Sequence, residues 1–126
     1  MKHKTSELTG ALLDAAVAKA TGNEIAIRCD GIAVRDLDAG PVAWMATFRP
    51  SVNWKHGGPI IEREGIATWR GMVGWHAIHP HYFKTGYDGR HEYIDVESGD
   101  CWDGPTSLIA AMRCYVALKF GEEVEL

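Results

Sequence analysis

Apolar positions fall in a helical rhythm at both ends of the chain. Leu8, Leu12, Leu13, Ala16, Val17 and Ala20 recur at spacings of three and four, while Asp14 and Lys19 lie away from the densest apolar line. That period predicts a helix over 11–20, capped by Thr5 or Thr9 and stopped at Gly22. Its many alanines predict close approach to another element, because small side chains let backbones come near. Near the other end, Leu108, Ile109, Met112, Tyr115, Val116 and Phe120 form a second helical stripe. Asp103-Gly104-Pro105-Thr106 opens it and Gly121 closes it, leaving Glu122–Leu126 as a frayed tail.

Between these helices the period shortens to two. Ile25 and Ile27, then Ile32 and Val34 beyond an Asp30-Gly31 turn, predict a hairpin. A turn at Asp38-Ala39-Gly40-Pro41 leads into a strand over 42–48. Residues 66–69 and 72–78 predict two strands about Arg70-Gly71, and Pro80 ends that pattern. Residues 81–102 read as a weakly packed excursion: turns at Thr85-Gly86, Asp88-Gly89 and Ser98-Gly99 around one strand, Glu92 to Val96. The order helix, strands, helix gives an α+β fold, a small antiparallel sheet with the N-terminal and C-terminal helices packed on one face. Trp44, Trp69 and Trp75 belong to its core or to a sheet face.

Composition narrows the functional classes. The 126 residues make a single domain, 1–126, and 46% hydrophobic content with five tryptophans fills a core without metal or disulfide staples. A net charge of −4 removes any global pull toward nucleic acid. Locally, Arg49, Lys55, Arg63 and Arg70 outweigh Glu62 and Glu64, whereas Asp88, Glu92, Asp95, Glu97, Asp100 and Asp103 face Arg90 alone. Solvated loops explain that asymmetry more simply than a homo-oligomer built on opposite patches, which stays open as an alternative. Cys29, Cys101 and Cys114 are odd in number and form no CxxC pair, which fits free thiols in a reducing compartment. No signal-type apolar core and no membrane-length apolar run is present, so a soluble, cytoplasmic protein without a membrane partner is expected.

Trp54-Lys55-His56-Gly57-Gly58-Pro59-Ile60-Ile61-Glu62-Arg63-Glu64 concentrates the candidate chemistry. It reads as a surface loop in which Pro59 starts a short helix that Gly65 stops. Its glycines and proline aim Ile60 and Ile61 into the core, leaving Glu62, Arg63 and Glu64 to be placed by the last helix. The glycine turn could cradle an anion, yet Pro59 removes a donor and Glu62 already brings negative charge. Glu62 and Glu64 share a face only if the segment is extended, and Arg113 is read as pairing with one of them. His76, His79 and His81 match no zinc spacing, the serines sit in no nucleophile turn, and no cofactor is called for. The strip from Phe48 to His56 interleaves aromatic and basic residues only weakly against an acidic whole.

Two blocks carry a resemblance: Trp54 to Ile66, WKHGGPIIEREGI, and Gly104 to Val124, GPTSLIAAMRCYVALKFGEEV. With Thr5–Gly10 and Leu13–Ala20 they resemble the phage NinX-like family, small accessory proteins of phages and prophages, over about half the chain. Ser107 departs from that pattern, which has proline there, and residues 81–102 are long for it. The resemblance implies a phage or prophage origin and a host-cytoplasm location, and it transfers no catalytic residue. The expected function is therefore a non-enzymatic accessory protein that binds a host or phage protein. Its expected binding set is Trp54, Lys55, Gly57, Gly58, Pro59, Glu62, Arg63, Glu64 and Arg113, with Trp54 as anchor. Two alternatives stand beside it: a small-ligand or nucleotide-related enzyme with a cleft at Glu62, Glu64 and Arg113, and weak single-stranded nucleic-acid binding by the Phe48–His56 strip.

Overall fold

The two helical stripes become the centre of the molecule in the computed structural model, which describes residues 1–22, 25–28, 31–35, 44–45, 48–96 and 101–126. Helix α1 spans Gly10–Ala20 and buries Leu13, Ala15, Ala16, Val17 and Ala18. The alanines do what their size predicts, since they let α1 lie close against the last helix. Thr9 stands at the N-cap without a side-chain bond. Thr5, the other candidate cap, is buried and donates its hydroxyl to the Gly121 carbonyl at 2.8 Å.

The last helix carries its own opening, body and stop in sequence. Ser107–Phe120 opens with the Thr106 hydroxyl accepting from Ile109 N–H at 3.1 Å and closes at Gly121, φ 80°. Leu108 to Met112 and Cys114 to Ala117 are all buried, so the helix is apolar around most of its circumference. It is a central element, and other elements pack around it on several sides.

Among the described residues the strands form several small antiparallel sheets, and with the helices they make the expected α+β fold. β1 (Lys2–Lys4) pairs with the C-terminal strand Glu123–Glu125, His3 opposite Val124. β2 (Ile25–Arg28), β3 (Gly31–Arg35) and β4 (Trp44–Met45) form a second sheet with Ile27 opposite Ile32, as a hairpin requires. The turns read at Asp30, at residues 38–41 and at Ser98-Gly99, together with Cys29 and the Trp44 side chain, lie outside the described residues. A third helix, α2 (Trp54–Glu64), precedes β5 (Ala67–Arg70), which pairs with β6 (Trp75–Ile78). A 3₁₀ turn at Pro80–Tyr82 leads to β7 (Phe83–Tyr87) and its partner β8 (Glu92–Val96). β9 (Trp102–Gly104) then joins β6 with His76 opposite Asp103, and α3 (Ser107–Phe120) and β10 (Glu123–Glu125) complete the chain.

Two expectations need correction. The tail does not fray: Thr5 N–H reaches the Glu122 carbonyl at 2.8 Å, and the terminal ammonium meets the Glu125 carboxylate at 2.6 Å. These partners are far apart in sequence, so no local pattern could reveal the pairing. In the excursion, Thr85-Gly86 is part of strand β7 rather than a turn, and the Tyr93 ring covers Gly86 so closely that a Cβ there would lie 2.3 Å away. The Asp88-Gly89 turn stands as read, with Gly89 at φ 96° and the Asp88 carboxylate accepting from Arg90 and His91 N–H. Those two bonds hold the Asp88 carboxyl below its ordinary range.

Candidate functional site

Trp54–Glu64 is a helix from end to end, which corrects the loop expected before Ile60. Asn53 caps it: extended at φ −115°, it accepts Lys55 N–H on its side chain at 3.0 Å, and its carbonyl takes Gly57 N–H at 2.9 Å. Gly65, left-handed at φ 70°, closes it as the sequence suggests, with Gly65 and Ile66 N–H both on the Ile61 carbonyl. Two glycines and a proline inside a helix cost about 1, 1 and 3 kcal/mol against alanine. Tertiary packing offsets that cost. A Cβ on Gly57 would lie 2.5 Å from the Pro50 carbonyl oxygen and 2.7 Å from a Leu108 methyl, so glycine is what lets α2 seat on α3. Ile60 is buried beside it and Ile61 packs partly against the same core. Pro59 forfeits only the bond to the Lys55 carbonyl, and both residues are exposed.

At about 100° per residue, α2 separates into two faces. His56, Gly57, Ile60, Ile61 and Glu64 turn inward; Trp54, Lys55, Pro59, Glu62 and Arg63 turn out, with Gly58 on the border beside the Trp54 ring. Trp54 is 56% exposed and neighbouring Val52 65%. The last helix places Arg63, as expected: its guanidinium carbon lies 6.0 Å from the centre of the Tyr115 ring, and Nη2 comes within 3.5 Å of the hydroxyl. Burial raises the Tyr115 pKa, and the Arg63 charge opposes it. Glu64 instead stands 4.0 Å from His79 Nε2, both half-buried; burial lowers the His79 pKa and the Glu64 charge opposes that.

Arg113 does not join this set. Its Nε and Nη1 donate to the Leu8 and Asp103 carbonyls, each at 2.8 Å, so neither Glu62 nor Glu64 is its partner. The helical period explains the correction: Arg113 lies about 140° around α3 from Leu108, the residue on which α2 sits. The cleft of Glu62, Glu64 and Arg113 is therefore not assembled. Arg113 lines a separate cavity of about 290 Å³ with Trp75, Gly104 and Pro105.

Other candidate chemistry disperses as well. Gly57 and Gly58 lie within a helix, so no glycine turn cradles an anion. Phe48 is buried and packs its ring 5.4 Å from that of His56, whose Nδ1 accepts Arg49 N–H at 3.0 Å, so it offers no stacking platform for a base. His76 bonds the Asp103 carboxylate and His79 accepts His81 N–H; no group of three His, Cys, Asp or Glu able to hold a metal occurs among the described residues. Burial pushes the Cys114 thiol up to about 12, away from reactive thiolate.

The residue that sequence reasoning missed is Asp14. It is buried in α1 and accepts Ser51 N–H at 2.9 Å, tying down the turn that feeds α2. Burial raises its pKa above the ordinary 3.8, against the lowering effect of Ser51 and Arg49. Its one local signal was a carboxylate in the middle of an alanine-rich helix.

Among the described residues, no helix is long and apolar enough to cross a membrane. No curated protein matches this chain. A family model described as Bacteriophage P22, NinX matches residues 4–119.

Proposed function

This chain belongs to the bacteriophage P22 NinX family, a phage accessory protein, and on that premise we propose that it is a non-enzymatic domain that binds a host or phage protein through the open face of α2. The observation that carries the reading is Trp54, a large aromatic held 56% exposed at the start of a capped helix. Burying such a ring in a partner supplies much of the energy of a typical binding hot spot. Lys55, Pro59 and Glu62 lie on the open side with it and supply polar selectivity, Arg63 stands at the far margin of that side against Tyr115, and Gly57 serves by seating the helix. The work takes place in the host cytoplasm, a reading supported by Cys114 as a buried free thiol rather than half of a disulfide.

Affinity capture from infected host cells tests it, comparing the native chain with a Trp54→Ala/Arg63→Ala variant shown to be folded by circular dichroism. The native chain retains partners that the variant loses, with affinity down about 30-fold or more, as truncating a hot spot produces. Retention of the same proteins by both forms overturns the reading.

A further inference from the structure

Arg113 stands outside the α2 face, and the cavity of about 290 Å³ that it lines brings two opposite charges together. Its Nε and Nη1 are held by the Leu8 and Asp103 carbonyls, which fixes the guanidinium plane, and among the described residues Nη2 has no partner. Asp103 lines the same wall. Its Oδ1 accepts the Nδ1 proton of His76, since an ionised carboxylate only accepts, and Oδ2 is left over on a side chain 74% exposed. The two charges feel each other: burial lowers the Arg113 pKa and the Asp103 charge opposes that. The remaining side chains of the lining are apolar, Trp75, Pro105 and Val73, the last fully exposed at the tip of the β5–β6 hairpin. The wall is fixed before any ligand arrives. A Cβ on Gly104 would lie 2.7 Å from the Ala110 nitrogen, and one on Gly74 would lie 3.1 Å from the Gly104 carbonyl oxygen, so the hairpin is pressed on β9 and β9 on α3.

One unused cationic donor, one unused anionic acceptor and an apolar wall define what fits. A ligand with a single charge would satisfy one group and set that charge against the other at close range. A neutral apolar ligand would displace water from both and replace neither hydrogen bond. A zwitterion with an apolar arm satisfies all three. The volume lies at the lower end of the range of about 300–1,000 Å³ usual for ligand sites, which suits a molecule the size of one amino acid. We propose that this cavity binds a free α-amino acid with an apolar side chain. Its carboxylate accepts from Arg113 Nη2, its ammonium donates to Asp103 Oδ2, and its side chain covers Val73 against Trp75 and Pro105. The site goes beyond the protein-binding reading of α2 and does not depend on it.

Titration of the isotope-labelled full chain with L-phenylalanine and with L-leucine tests the proposal. NMR follows the Arg113 side-chain Nε–H, the Trp75 indole N–H and the Gly74 and Gly104 amides, where saturable shifts are expected. Phenylpropionate lacks the ammonium, phenethylamine lacks the carboxylate, and glycine lacks the apolar arm. Each binds about tenfold or more weakly than L-phenylalanine, as loss of one charged hydrogen bond or one buried side chain produces. Asp103→Asn keeps an oxygen for His76 and removes only the charge. It weakens L-phenylalanine by a similar factor and leaves phenylpropionate no weaker, so the two affinities converge, which a merely structural role for Asp103 would not bring about. Absence of saturable shifts with both amino acids at millimolar concentration overturns the proposal. So does any of the three truncated compounds binding the native chain as tightly as L-phenylalanine, or a folded Asp103→Asn chain that still prefers L-phenylalanine to phenylpropionate as the native chain does.

Discussion

α2 and α3 are helices made in opposite ways. α3 carries its own instructions: a threonine cap, apolar residues on most of its circumference, and a glycine at its end. α2 holds two glycines and a proline, which by local preference belong in a turn, yet it is helical throughout. What distinguishes them is where the stabilising contact is written. In α3 it is written in side-chain volume, and in α2 in a missing side chain, because Gly57 is where two backbones come together. A helix whose decisive contact is an absence gives little periodic signal.

Several substitutions sharpen or break that contrast. The largest effect belongs to volume in α3: Met112→Ala empties a fully buried site and should cost about 2–5 kcal/mol in urea denaturation. Next comes Gly57→Ala, where a single methyl has to displace the Pro50 carbonyl; about 1–3 kcal/mol of destabilisation is expected by the same assay. Its neighbour reverses the sign. A Cβ on Gly58 meets only the Trp54 ring at 3.8 Å, so Gly58→Ala should stabilise the protein by up to about 1 kcal/mol through helix propensity. Equal losses from the two glycine substitutions would mean that Gly57 has no special contact and that the contrast between the helices is misplaced.

A smaller effect tests the tether beneath α2. Asp14 is held above its ordinary pKa of 3.8 by burial, so the folded state binds the proton more tightly than the unfolded chain. Stability from this group is then full at low pH and falls as pH rises from the ordinary carboxylate value through the raised one. Asp14→Asn, which keeps an oxygen for Ser51 N–H, should match the native chain at the acid end and gain on it across that window. Denaturation midpoints measured against pH reveal it, and parallel curves would mean that burial does not hold the Asp14 carboxyl above its ordinary value.

Much of the fold was legible where information is local. Both terminal helices, Gly65 as a helix stop, the Asp88-Gly89 turn and the hairpin of β2 and β3 follow from period, capping and turn chemistry. What escaped depends on distant partners. β1 and β10 define each other from opposite ends, and Gly86 can lie in a strand because Tyr93 covers it. Asp14 lies off the densest apolar line of its helix, and no local pattern reveals that Ser51 N–H, 37 residues on, meets it. The candidate site was legible in its members and not in its shape. Trp54, Lys55, Pro59 and Glu62 share a face only because the segment is helical, the same turn carries Arg63 round to Tyr115, and Arg113 left the set by the helical period of α3.

Packing at Gly57 makes one continuous helix of residues 54–64 and so assembles the Trp54 face. Amide hydrogen exchange along 49–66, read residue by residue by NMR, tests it most directly. Slow exchange is expected at Gly57, Gly58 and Ile60 through Gly65, with the amides of positions 57 and 58 lost from that protected set in Gly57→Ala. Loop-like exchange at Gly57 and Gly58 in the native chain, with protection beginning only beyond Pro59, would contradict it.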